Sequence, residues 1–315
     1  MAKNKKKGKK KPKKQEMKKE REPKELSFLE KIKDFYFNEY RKLFIIPVIL
    51  FLFSIFALIN SYNTTGDFIN RDVSLKGGIS LTINTDFNDI SDLEEYLLVE
   101  LPDASINIRT IEAGGMVSGI IVEASDVEEE LLEEKVNEKI PLTKENYSLE
   151  TMGSTLGESF FKQMFIALLL AFASMGFVFQ FYFKSWYATF AALFSAFMDI
   201  FITLGIMEFI GMKLTAGGIA AYLMLIGYSI DTSILISTKL IKEQTELRKA
   251  LFGAMKTGLT MSAAGIVAMG ISFLLTNNTT LKQIMLILIV GLVIDIFTTW
   301  IANVAFLRIN LEKKK

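Results

Sequence analysis

The chain contains no cysteine and no histidine. Without cysteine there is no disulfide, no thiol nucleophile and no thiolate metal site. Without histidine the usual metal ligand and the usual neutral-pH proton carrier are missing. Proton chemistry therefore falls to carboxylates, lysines or tyrosines. No P-loop, nucleophile–base pair or metal-ligand cluster appears in the sequence either, so no cofactor and no enzymatic activity is expected. What the chain has instead is hydrophobicity: half of its residues are apolar, 26 are Phe, and the mean hydropathy is +0.33.

That average hides segregation. The first 42 residues carry 17 Lys/Arg, and residues 61–160 carry 21 acids against 6 bases. Beyond them the chain is mostly long apolar stretches, and runs near ~20 residues match the hydrocarbon thickness of a bilayer. Six runs read as membrane spans: 43–60, 164–183, 186–210, 214–237, 257–276 and 281–306. The first reads as a span rather than a cleaved signal, because it follows a long polar stretch and lacks a small-residue cleavage site. Basic residues flank one side: the N-terminal arm, the connection holding Lys239, Lys242, Arg248, Lys249 and Lys256, and the tail 308–315. The excess of bases assigns that side, with both termini, to the cytoplasm. The acidic block and the sequons at Asn63, Asn146, Asn277 and Asn278 then fall outside the cell membrane.

The arm within 1–42 is low-complexity and too charged to bury a core, so it is expected to be disordered. It reads as an anchor on anionic lipid, with contact to ribosomal RNA as the weaker alternative. "LSFLEKIKDFYFNEYRKLF" reads as an amphipathic lead-in lying at the membrane interface. Within 61–160, "SLTINT" alternates as a half-buried strand. "ISDLEEYLLVEL" places Ile90, Leu93, Leu97 and Leu101 on one helical face, with Ser91 or Asp89 as cap. "SINIRTI" and "GMVSGIIVEA" are strands joined at Ala113-Gly114-Gly115, Ser125 is a candidate cap for "DVEEELLEEKV", and "NYSLET" is a last strand. This order, βαββαβ, is that of an extracytoplasmic ferredoxin-like α+β domain between spans one and two. Gly77-Gly78 before the first strand reads as a tight turn. The remaining spans, 161–307, are rich in small residues that allow close helix packing.

Three aspartates lie inside these spans: Asp199 in span three, Asp231 in span four and Asp295 in span six. A central aspartate costs roughly 2.5–3.5 kcal/mol on insertion scales, so each needs a reason. One reading satisfies each carboxyl with a hydroxyl across a helix interface, from Thr203, Thr232, Ser233, Thr298 or Thr299. The other makes them, with Thr232, an ion or proton path. Asp231 lies about 10 Å inside the cytoplasmic boundary at ~1.5 Å per residue. Lys256 opens span five on the same side, and its stem is long enough to reach a carboxylate. Protonating Asp231 would release Lys256 and shift helix packing. Glu208, near the outer end of span three, is expected to reach the interface.

Several stretches resemble the SecF family, partners of SecD in protein export and members of the proton-driven resistance-nodulation-division (RND) superfamily. They are "FNEYRKLFIIPVIL", "LKGGISLTI", "MGSTLGESFFKQMFIALLLAF", "FKSWYATFAALFSAFMDIFITLG", "GYSIDTSILISTKLIKE" and "AMKTGLTMSAAG", collinear from about residue 38 to the end. By this resemblance Asp231 matches the family's span-four aspartate associated with proton coupling, and Asp199 with Thr203-Leu204-Gly205 matches its span-three signature. Lys256-Thr257 stands where bacterial relatives carry Arg-Thr, which removes a bidentate contact to a carboxylate. The spacing before Asp231 is similar to the archaeal form. The resemblance implies a multi-pass subunit that pairs with SecD, serves a SecY-type translocon and acts on a translocating polypeptide. Two alternatives remain: a homodimeric RND-type lipid or small-molecule exporter, and a passive translocon scaffold.

Overall fold

The computed structural model describes residues 28–65, 67–87, 89–113, 116–242, 246–276 and 278–313. The basic arm up to residue 27, the turn glycines Gly114 and Gly115, the sequon Asn277 and the last two lysines lie outside the described residues. One compact unit ends at Glu39, and it contains helix α1, Phe28–Asn38, within the stretch expected to form the lead-in.

In the second unit, Tyr40–Lys315, a short α2 (Tyr40–Leu43) leads into α3 (Ile45–Thr65), and α4 is the single turn Val73–Lys76. A small α+β domain follows: β1 Gly78–Ile83, α5 Ile90–Glu100, β2 Ser105–Ala113, β3 Met116–Ser125, α6 Glu129–Lys139 and β4 Tyr147–Met152. Then come α7 Ser154–Phe183, α8 Trp186–Phe209, α9 Ala216–Ser237, α10 Leu247–Leu275, α11 Thr279–Phe297 and α12 Val304–Lys313. A π-helical turn at Thr238–Lys242 extends α9, and another at Thr298–Asn303 joins α11 to α12. Among the described residues, six helices are long and apolar enough to cross a membrane: Tyr40–Thr64, Thr155–Phe183, Trp186–Phe209, Ala216–Lys242, Leu247–Leu275 and Thr280–Ile309. They are spans one to six, matching the expected number and order.

Short caps fix the span ends. Thr215 accepts from the Gly218 amide at 3.0 Å and Asn278 from that of Leu281 at 2.9 Å, each satisfying a first-turn N–H that has no helical partner. Lys184, with φ 51°, closes α7 and turns the chain directly into α8.

The sheet is antiparallel in the order β2-β3-β1-β4. Alternation along β1 buries Ile79, Leu81 and Ile83 against α5 and α6, where Leu93, Leu97, Leu132 and Val136 complete the core. The intervening Ser80 and Thr82 face the opposite way, over the ends of the membrane helices. Gly77 and Gly78 hold φ of 92° and 124°, as the predicted tight turn requires, and a Cβ on Gly78 would sit 2.6 Å from the Ala124 carbonyl oxygen. Asp89 caps α5, accepting from the Asp92 amide at 3.2 Å. Ser125 does not cap α6: it ends β3, and α6 starts after Glu128 without a side-chain cap.

Candidate functional site

Three spans bring polar side chains to one buried cluster. Asp199 lies 13 residues from one end of Trp186–Phe209 and 10 from the other, and is fully buried. Its carboxylate accepts from the Ser229 hydroxyl of α9 at 2.6 Å and from the Thr298 hydroxyl of span six. Asp295 of α11, also fully buried, accepts from Thr299 at 2.6 Å and faces Asp199, Ser229 and Thr232. Ser195 of α8 meets Thr299 at 3.2 Å, and Asn303 donates to Ser233 at 2.9 Å.

The two carboxyls are neighbours, yet Asp295 Oδ2 finds no donor among the described residues. No lysine or arginine pairs with either carboxyl among the described residues. Two acceptors placed face to face in a low-dielectric interior repel unless a proton or cation lies between them.

The site residues predicted from sequence therefore divide. Asp199, Asp295 and Thr232 come together. Asp231 does not join them: its side chain is exposed on the outer face of α9. Lys256 is exposed on α10, and among the described residues it forms no ion pair with Asp231. The expected Asp231–Lys256 pair is thus absent among the described residues, because helix rotation turns Ser229, Thr232 and Ser233 inward and leaves Asp231 about 100–160° away from them at ~3.6 residues per turn. Sequence reasoning overlooked Ser229 and Ser195. The hydroxyls at 229, 232, 233 and 237 follow a helical stripe, the signal that would have found the inward face.

Glu208 lies one residue from the outer end of span three, as its place in the sequence implies. It is buried and accepts from the Ser61 hydroxyl at 2.6 Å and from the Asn70 backbone amide at 3.2 Å, tying the end of span one and the segment after it to the end of span three.

A second ionic node joins the sheet to the bundle. The Glu123 carboxylate of β3 accepts from Arg109 of β2 and from Lys213 of the α8–α9 turn, while Arg109 also reaches Asp72 at 3.2 Å. Burial pushes the Glu123 carboxyl above the usual carboxylate range; Arg109 opposes this and Asp72 adds to it.

Comparison with known proteins agrees with this architecture. Residues 132–313 match the model of the family described as "Protein export membrane protein SecD/SecF, C-terminal". Proteins named protein-export membrane protein SecF are similar across nearly the whole chain. That of Methanolacinia petrolearia is 31% identical over 87% of this chain and 95% of its own. That of Methanocaldococcus jannaschii is 32% identical over 86% and 95%, and that of Pyrococcus furiosus 30% over 91% and 96%. A crystal structure of SecDF, a translocon-associated membrane protein from Thermus, shares the fold with a TM-score of 0.72 at 17% identity. The match covers 88% of this chain but only 38% of that one, and SecDF in a super-membrane-facing form matches at 0.57. The match over residues 132–313, together with SecF relatives above 30% identity along most of the length, shows that this chain belongs to the SecD/SecF family of protein-export membrane proteins.

Proposed function

We propose that the chain is the SecF-type accessory subunit of a Sec protein-export machinery. It pairs with a SecD half beside a SecY-type translocon and uses a proton gradient to assist a translocating polypeptide. The name of its relatives and their near full-length match support the export role. Pairing is supported by the name SecDF and by the match to only 38% of that chain, which leaves most of it outside the match. We place both termini on the cytoplasmic side, where Lys239, Lys242, Arg248 and Lys249 also lie, and the acidic α+β domain, ferredoxin-like in element order, on the far side. The role is mechanical, with no chemical step on a substrate.

The observation that carries the proton reading is the facing pair of buried carboxyls, Asp199 and Asp295. A proton held between them satisfies both, and its departure leaves like charges that push α8 and α11 apart. Asp231 and Lys256 belong, in this reading, to the face of α9 and α10 that the SecD half covers, where water and partner groups reach them.

Single Asp199→Asn and Asp295→Asn variants test the reading in cells whose export depends on this chain. Each is expected to reduce export to about the level seen without the chain, while the SecD half still copurifies in normal yield. Undiminished export in both variants would make the cluster structural and leave the scaffold role.

A further inference from the structure

The three helices that meet at the carboxyl cluster meet again at the turn 210–215. Helix α8 enters it at Phe209 and α9 leaves it at Ala216. From α11, Gln283 donates to the Lys213 carbonyl at 2.5 Å and accepts from the Thr215 hydroxyl. Asp295 and Gln283 are 12 residues apart on one helix, about 18 Å at ~1.5 Å per residue. A stiff helix carries a shift at one end to the other, so the backbone at Lys213 is positioned by all three arms of the cluster. The Lys213 ammonium, in turn, is bound to Glu123 on the sheet.

The same side of the α+β domain is fastened by the segment 67–77. The Asp72 backbone amide donates to the Leu214 carbonyl at 2.9 Å, the Leu214 amide to that of Asn70 at 2.6 Å, and the Ala216 amide to the Ser74 hydroxyl at 3.2 Å. Leu75 is fully buried in the bundle among Met207, Leu214 and Tyr222. β4 is also joined to α7 through Gly153 alone, and a cavity of about 720 Å³ lies beside the Glu123–Lys213 contact. Over the starts of α9 and α11 and the end of α10 the sheet stands off. A cavity of about 520 Å³ separates Ser80, Thr82 and Glu150 from Phe273, Thr280 and Lys282. Glu150 and Lys282 both line it, and neither has an ion-pair partner among the described residues. The sheet is thus pinned near Glu123 and open at the cavity, with opposite charges on the two walls.

We propose that the Glu123–Lys213 ion pair is the coupling contact of this protein. Through it a rearrangement around Asp199 and Asp295 turns the α+β domain about the 67–77 segment and brings Glu150 toward Lys282. This inference rests on the proton reading given above and identifies the positioning residues by which the buried pair would act on the domain. A coupling claim needs an element with two arrangements that both sites bias; here that element is the sheet, open or closed over the cavity.

The absence of native cysteine makes the test direct. A Glu150→Cys, Lys282→Cys double variant, in complex with its SecD half in lipid vesicles, is treated with a short bismaleimide with and without an imposed proton gradient. The gradient is expected to change the crosslinking yield at least about threefold, a shift of a two-state population. Adding Lys213→Met, which leaves Glu123 paired with Arg109, is expected to abolish the response, as is Glu123→Gln. Lys213→Arg is expected to keep it, and Asp295→Asn to abolish it. A response in the Lys213→Met and Glu123→Gln chains equal to that of the parent would overturn the coupling contact while leaving the proton reading intact. No response in the parent, with export also unaffected by Asp295→Asn, would overturn both.

Discussion

At the scale of single residues, the buried aspartates and the buried Glu123 of this chain sit in opposite electrostatic company. Asp199 and Asp295 have hydroxyl donors and one another, whereas Glu123 has two cations and the Asp72 carboxylate nearby. For Glu123, burial outweighs the cations, and its pKa lies above the ordinary 4.5. An acid whose pKa is raised in the folded state binds its proton more tightly there than in the unfolded chain. Its protonated form therefore favours folding, and stability falls as pH climbs from the ordinary glutamate range through the raised folded value. Melting curves of wild type across that window should show this decline. Glu123→Gln, neutral at every pH, should lack that component of the slope; an unchanged slope would remove Glu123 as its source. None of this was legible in the sequence. Glu123 reads there as one acid among the 21 of residues 61–160, and only strand pairing with Arg109 and the arrival of Lys213 from the α8–α9 turn single it out.

Elements pack through small residues, and here position decides which of them matter. Gly205 of α8 lies against α3: a Cβ built on it would fall 2.4 Å from Ser54 Cβ and 2.6 Å from Ser54 Cα. Backbone cannot yield as a flexible side chain can. Ser54 is moreover held by its hydroxyl, which donates to the Ile202 carbonyl at 3.2 Å. Gly205→Ala should therefore separate spans one and three and cost about 1–3 kcal/mol. Gly270→Ala, where no described residue lies within 4 Å of the added Cβ, should not lower the melting temperature of the isolated chain. Detergent melting of the two variants side by side measures the difference; because Ala is the better helix former at both positions, equal melting shifts would mean the contact with Ser54 is not what Gly205 serves. At this scale much was readable beforehand. Run length marked the six spans, since apolar stretches of about 20 residues have few other uses in a chain. Period-two alternation in "SLTINT" and the cap at Asp89 placed parts of the α+β domain. The π-helical turn at Thr298–Asn303, which sets Thr298 toward Asp199 while Thr299 reaches Asp295, left no mark in the residue pattern. It depends on packing among three spans rather than on local propensity.

On the scale of the whole molecule, the outer faces of α9 and α10 are unlike a lipid-facing surface. Met224, Gly227, Tyr228 and Asp231 recur at helical spacing and are exposed together on α9, and Lys256, Thr257 and Thr260 are exposed on α10. An exposed aspartate at this depth would cost roughly 2.5–3.5 kcal/mol against hydrocarbon, and bare glycines forgo the packing that lipid or a neighbour provides. A second half with its own helices would shelter the carboxylate and lie close over Gly227 and Gly253, at each of which an added Cβ meets no described residue within 4 Å. This face was half legible. The aspartate was conspicuous in "GYSIDTSILIS", but its direction depends on which side of α9 the buried hydroxyls occupy, and that follows from the packing of α8 and α11. The consequence is a variant that separates folding from assembly. Gly227→Trp should leave the melting temperature of the isolated chain unchanged, because the ring enters open space. Copurification of the SecD half from native membranes should fall at least about tenfold, the effect of ~1.4 kcal/mol at an interface. If the variant instead disrupts self-association while a SecD half is never recovered, the face joins two copies of this chain and the homodimeric exporter becomes the better account. Full retention of the SecD half would place the partner on another face and leave Asp231 exposed to lipid, a position its charge does not favour.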